Sequence, residues 1–104
     1  MPTPLFERGR ASATPGAIEV LERIGYAAFN ELLGRHLTGK WGDVCDENRQ
    51  ANDQAVMDGE RIVSRYGDGA DRLWFITDAV NGNGNRERTT VLTPDEFLEA
   101  INGR

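Results

Sequence analysis

The chain contains a single cysteine, Cys45, and a single histidine, His36. One cysteine cannot form an internal disulfide, which suits a reducing compartment, and the cytoplasm is the expected location. With no second His or Cys, a zinc site lacks half of its ligands. Asp43, Asp46 and Glu47 have neither the alternating spacing nor the glycine of a calcium loop. The expectation is therefore no metal and no cofactor. No run approaches the roughly 18–20 apolar residues that span a bilayer. Met1–Arg8 carries no apolar stretch of the secretory type. No nucleophile elbow, P-loop or dinucleotide-binding glycine pattern occurs; Gly82-Asn-Gly84 does not link a strand to a phosphate-binding helix. A Cys45 nucleophile would need His36 as its base. His36, however, falls on an apolar helical stripe and reads as a hydrogen-bonded core histidine, with Cys45 as a small buried hydrophobe.

What is present is an uneven charge. The formal net charge is −5, and residues 41–60 account for it. They hold Arg49 against Asp43, Asp46, Glu47, Asp53, Asp58 and Glu60, while the flanking segments are nearly neutral. Phosphates would be repelled there, so direct DNA binding through this segment is not expected, whereas a basic partner would suit it. The plainer reading is a solvated helix face that aids solubility.

The length suits one α+β domain over residues 14–104, preceded by a flexible arm over residues 1–13 that has no periodicity. Thr14-Pro15 predicts a helix start. Ala17, Val20, Leu21 and Ile24 share its apolar face, Glu19 pairs with Arg23, and Gly25 stops it. Phe29, Leu32, Leu33, His36 and Leu37 predict a second helix, antiparallel to the first. A polar third helix is expected near 46–57, capped by Asp43 or Asp46, anchored by Ala51, Ala55, Val56 and Met57, and carrying an Asp46–Arg49–Asp53 ion ladder. Three runs then read as an antiparallel sheet: Arg61–Tyr66, Leu73–Thr77 and Arg88–Leu92. Gly67–Asp71 joins the first two. An Asn/Gly loop over 78–87, expected to be mobile, joins the last two. Thr93-Pro-Asp-Glu96 is a capping box for a final helix that packs on the sheet. The expected core is Leu21, Ile24, Phe29, Leu32, Leu33, Leu37, Val63, Leu73, Phe75, Val91, Phe97 and Ile101, with Trp41 and Trp74 at least half buried.

Arg61, Arg65, Tyr66, Arg88 and Thr89, with Arg86 and Thr90 nearby, lie on or beside the strands. A sheet face bearing Arg, Tyr and Thr can stabilise charge on a scissile RNA phosphate without a metal. That plan is similar to the architecture of small ribonucleases of the barnase and RelE kind. A metal-independent ribonuclease or toxin is accordingly the alternative function. The plainer reading is edge-strand arginines that keep the sheet from pairing with itself.

Trp41-Gly-Asp-Val, Asn52-Asp-Gln-Ala, Arg61-Ile-Val-Ser-Arg-Tyr, Leu73-Trp-Phe-Ile-Thr and Arg88-Thr-Thr-Val-Leu-Thr-Pro occur in that order. In this the chain resembles small uncharacterised "plasmid-related" proteins carried by plasmids and integrated elements of proteobacteria. The similarity runs from Thr14 to Phe97 and departs from the pattern at Asn81–Asn85, which looks like an insertion. The resemblance implies a mobile-element setting, and through it interference with host defence or maintenance of the element. It implies no catalytic residues. Together with the charge, it makes the first expectation an acidic interaction protein. Its residues 41–60 would engage a basic, nucleic-acid-binding host protein, as anti-CRISPR and anti-restriction proteins do. A homodimer through a sheet edge is a further expectation.

Overall fold

The computed structural model describes residues 3–102. In chain order its elements are β1 (Arg10–Ala13), α1 (Pro15–Ile24), α2 (Tyr26–Leu37), α3 (Asp46–Asp58), β2 (Ile62–Tyr66), a 3-10 turn (Gly69–Asp71), β3 (Leu73–Thr77), β4 (Arg88–Leu92) and α4 (Pro94–Asn102). The architecture is α+β, but the sheet has four strands, ordered β1-β4-β3-β2, and not three. The expected meander is present, with Arg65 opposite Trp74 and Trp74 opposite Leu92. The added strand comes from the segment expected to be a flexible arm. β1 runs parallel to β4, with Arg10 opposite Arg88 and Ala13 opposite Val91. Arg-Ala-Ser-Ala has no β-branched or aromatic residue to announce a strand. Its pairing is carried by backbone hydrogen bonds to a partner 78 residues away. Gly9 turns the chain onto β4 at φ +63°, where a Cβ would lie 2.4 Å from the Glu87 carbonyl. Upstream, Phe6 is buried and the Leu5 N–H donates to the Leu37 carbonyl at 2.8 Å.

Strand alternation sends Ile62, Ser64, Tyr66, Leu73, Phe75, Thr77, Thr89 and Val91 inward, all of them buried. Ala17, Val20 and Leu21 of α1 pack on Tyr66, Leu73, Phe75 and Val91, and Ile24, Phe29, Leu32 and Leu33 add partly buried cover. A second cluster joins Phe6, Trp41, Val44, Ala55 and Ile62, with Leu37 against it. Val63, expected in the core, instead faces outward between Ile62 and Ser64 and is half covered. On that outer face the Phe97 ring of α4 lies 4.5 Å from the Trp74 ring. The side chain of Ile101 and the expected stop at Gly103 lie outside the described residues.

The α4 capping box forms as expected. The Thr93 N–H donates to Glu96 Oε1 at 3.0 Å and the Glu96 N–H to Thr93 Oγ1 at 3.3 Å. The same carboxylate also accepts the Gly16 N–H at 3.0 Å and the Thr14 hydroxyl, so one side chain serves the first turns of both α1 and α4. Burial opposes ionisation of Glu96, but the hydrogen bonds from Thr14, Thr93 and Gly16 outweigh it and hold its carboxyl below the usual range.

The outer edge of β2 is sealed. The Asn52 side chain accepts the Val63 N–H at 3.2 Å and donates to the Val63 carbonyl at 2.7 Å, as a neighbouring strand would. One step along, the Arg65 N–H donates to Trp41 and the Asp43 N–H to Arg65. Gly42, at φ +79°, permits that approach: a Cβ there would meet the Arg65 carbonyl at 2.1 Å. The 78–87 loop closes on itself, because the Asn81 side chain accepts the N–H groups of Asn83 and Asn85.

Candidate functional site

Asn52 and Ala55 are the buried residues of α3 and pin it along the β2 edge. The expected anchors Ala51 and Met57 are exposed instead. Every acidic residue of the segment consequently stands in solvent: Asp43, Asp46, Glu47, Asp53, Asp58 and Glu60 are all exposed. Cys45, expected to be buried, is the exposed residue before α3 and contributes no side-chain cap. Neither Asp43 nor Asp46 caps either; Asp46 and Glu47 sit in the first turn, where they complement the positive end of the helix dipole. The ion ladder is incomplete. Arg49 lies 3.8 Å from Asp46, while Asp53 accepts the Trp41 indole N–H at 3.0 Å. Asp43 meets Arg72 at 3.0 Å and Asp58 accepts from Gln54. The result is a solvent-facing acidic ridge along α3 and its flanking turns.

The arginine, tyrosine and threonine set does not form one face. Tyr66 and Thr89 point into the core, whereas Arg61, Arg65 and Arg88 point away from it or to its margin. The Tyr66 hydroxyl donates to the Lys40 carbonyl, and burial pushes its pKa up to about 12. Arg88 is exposed and held by Asp78 at 3.0 Å. Arg86 is buried and donates to the carbonyls of Ala55, Glu60 and Asp78, tying the end of α3 to the sheet. Strand period two separates residues that lie close in sequence.

Arg61 and Arg65 do come together. They line a groove of about 260 Å³ over the outer face of β2 and β3, between α3 and α4, with Asn48, Val63, Trp74 and Phe97. The Arg65 guanidinium lies 4.4 Å over the Trp74 ring, a cation–π contact. Arg65 Nε and Trp74 Nε1 are both buried without a hydrogen-bond partner among the described residues. In the sequence Asn48 carries no signal and Trp74 only an expectation of partial burial, because nothing local joins the two.

His36 occupies the opposite face, fully buried. Its Nδ1 is 2.5 Å from Ser64 Oγ and its Nε2 2.8 Å from Thr77 Oγ1; Thr77 Oγ1 is 2.7 Å from Thr89 Oγ1. Thr89 donates to the Arg8 carbonyl, so it accepts from Thr77, and Thr77 therefore accepts from His36. That order places the imidazole proton on Nε2 and makes Nδ1 the acceptor for Ser64. Burial, with the Arg86 charge second, lowers the His36 pKa to about 3. Both nitrogens are engaged in the core, so His36 is no base for Cys45. Among the described residues, no three of His, Cys, Asp and Glu gather as a metal-ligand set, and no helix is long and apolar enough to cross a membrane.

No protein family, curated protein or solved structure matches the chain.

Proposed function

We propose that this protein is an interaction module that presents the acidic ridge of α3 to a basic partner. The observation that carries the reading is that α3 is seated by an uncharged pair, Asn52 and Ala55, so that the whole acidic block remains solvent-exposed. Three arginines are paired with carboxylates outside the ridge, Arg23 with Asp71, Arg35 with Glu31 and Arg88 with Asp78. Within it, among the described residues, only Asp43 and Asp46 have arginine neighbours, Arg72 and Arg49. A surface of one sign speeds encounter with a complementary surface and selects against like-charged partners. Proteins that bind nucleic acid carry such basic surfaces, and the mobile-element setting implied by the sequence resemblance supplies them among restriction and CRISPR effectors. Occupying one would block its nucleic acid.

The test is affinity capture from lysate of a proteobacterium with active defence systems, followed by binding measurements on the purified partner. The expected result is one basic protein whose affinity falls as salt rises. The variant carrying Asn at positions 43, 46, 53 and 58 should bind about tenfold more weakly or worse. Asn at 53 keeps an oxygen for the Trp41 indole, so the fold is spared. Unchanged affinity in that variant would sink the proposal.

A further inference from the structure

We infer that the groove between α3 and α4 is a binding site for a small organic carboxylate carried on an apolar body. The first observation is a pair of donors left over on two residues that line it. Arg65 Nε and Trp74 Nε1 are buried and unpartnered among the described residues. A buried donor without an acceptor is costly, and folded proteins seldom leave one without a reason. Neither atom meets an acceptor from the groove's own side chains. Val63 and Phe97 have none to give from their side chains, and the Asn52 amide is committed in both directions to the Val63 backbone.

The second observation is a reversal of charge. On a chain of net charge −5, this groove is lined by two arginines and by no acidic residue. Its complement is therefore an anion that only accepts hydrogen bonds. Arg61 and Asn48, both exposed, add donors at the rim. Val44, Val63 and Phe97 give the groove apolar wall as well, which a carbon skeleton fills and a bare inorganic anion does not. About 260 Å³ is below the usual range for drug-sized ligands, so one ring or a short branched chain is the fitting size. A planar carboxylate suits the fork of a guanidinium better than a tetrahedral ion does. Trp74 does not offer a stacking face for a base, since Arg65 and Phe97 already pack against it.

The probe is phenylacetate, titrated into the ¹⁵N-labelled chain and read by NMR at the indole and arginine Nε–H signals. A ligand of ten heavy atoms in so small a groove binds with a Kd on the order of millimolar. The expected result is saturable movement of the Trp74 and Arg65 Nε–H signals, with the fully buried Trp41 indole unmoved. Acetate and phenylacetamide should each bind at least tenfold more weakly, the first lacking the apolar body and the second the charge. Arg65→Gln should abolish the effect. Trp74→Phe, which keeps a ring and removes the donor, should weaken it several-fold. No saturable shift with phenylacetate, an equal response to inorganic phosphate, or full binding by a folded Arg65→Gln chain would each overturn the assignment.

Discussion

At His36 a histidine is held neutral and in one tautomer by three hydroxyls and a backbone carbonyl, and this fixes how it responds to acid. Its pKa is near 3 in the folded chain, against about 6.5 when unfolded. The unfolded chain therefore binds the extra proton between those values. The stabilisation is fully present above about pH 6.5 and is lost progressively as pH falls towards 3, by up to about 1.4 kcal/mol per pH unit. As the only histidine, it gives an unambiguous NMR signal. The ring should stay neutral at pH 5 with its proton on Nε2. An imidazolium at that pH, or the proton on Nδ1, would refute the assigned relay. The core role of His36 was legible from its place on an apolar stripe, because helical period reports burial directly. Its partners were not, because Ser64, Thr77 and Thr89 come from three strands and meet only through sheet register. Arg86 was misread for the same reason. Nothing in Asn-Arg-Glu-Arg tells a buried clasp from an edge-strand charge, since its three acceptors are backbone carbonyls at positions 55, 60 and 78.

Between elements, local signals are legible in the sequence and long-range ones are not. Thr14-Pro15 and Thr93-Pro94 announce helix starts because a cap acts within four residues. The sharing of Glu96 between those two starts spans 80 positions and leaves no local trace. Glu96→Ala should cost about 1–3 kcal/mol in urea unfolding, because it strips support from two helix starts at once. The effect should fade on acidification. The Glu96 pKa is depressed by folding, so its contribution is present above the unfolded carboxyl value of about 4.3 and is lost as pH falls through the folded one. A variant equally destabilised at low and neutral pH would contradict this account. β1 was missed because a parallel strand pairs with residues far along the chain, and its small side chains carry no strand preference. The α3 register was half legible: the helix and its acidic content were evident, but Asn52 as a stand-in for a missing strand was not.

Over the whole molecule, the first and last elements hold one another. β1 lies beside β4, Thr14 and Gly16 reach Glu96, and Arg8 accepts from Thr89. Contacts of such sequence separation close large loops and form late in folding. A chain ending at residue 87 should therefore lack cooperative unfolding and show collapsed amide dispersion, although it keeps both hairpin helices and α3. Well-dispersed spectra from that fragment would count against the dependence.

The clasp between β1 and β4 also bears on synthesis. A ribosome releases residues 10–16 long before residues 88–96 exist, so the opening strand emerges with neither its neighbouring strand nor the Glu96 carboxylate. The helices can form as they emerge, but the sheet cannot close until nearly all of the described chain has left the exit tunnel. Closure of the fold therefore waits on residues 88–96, and a stall before residue 88 would leave the opening strand without its neighbour.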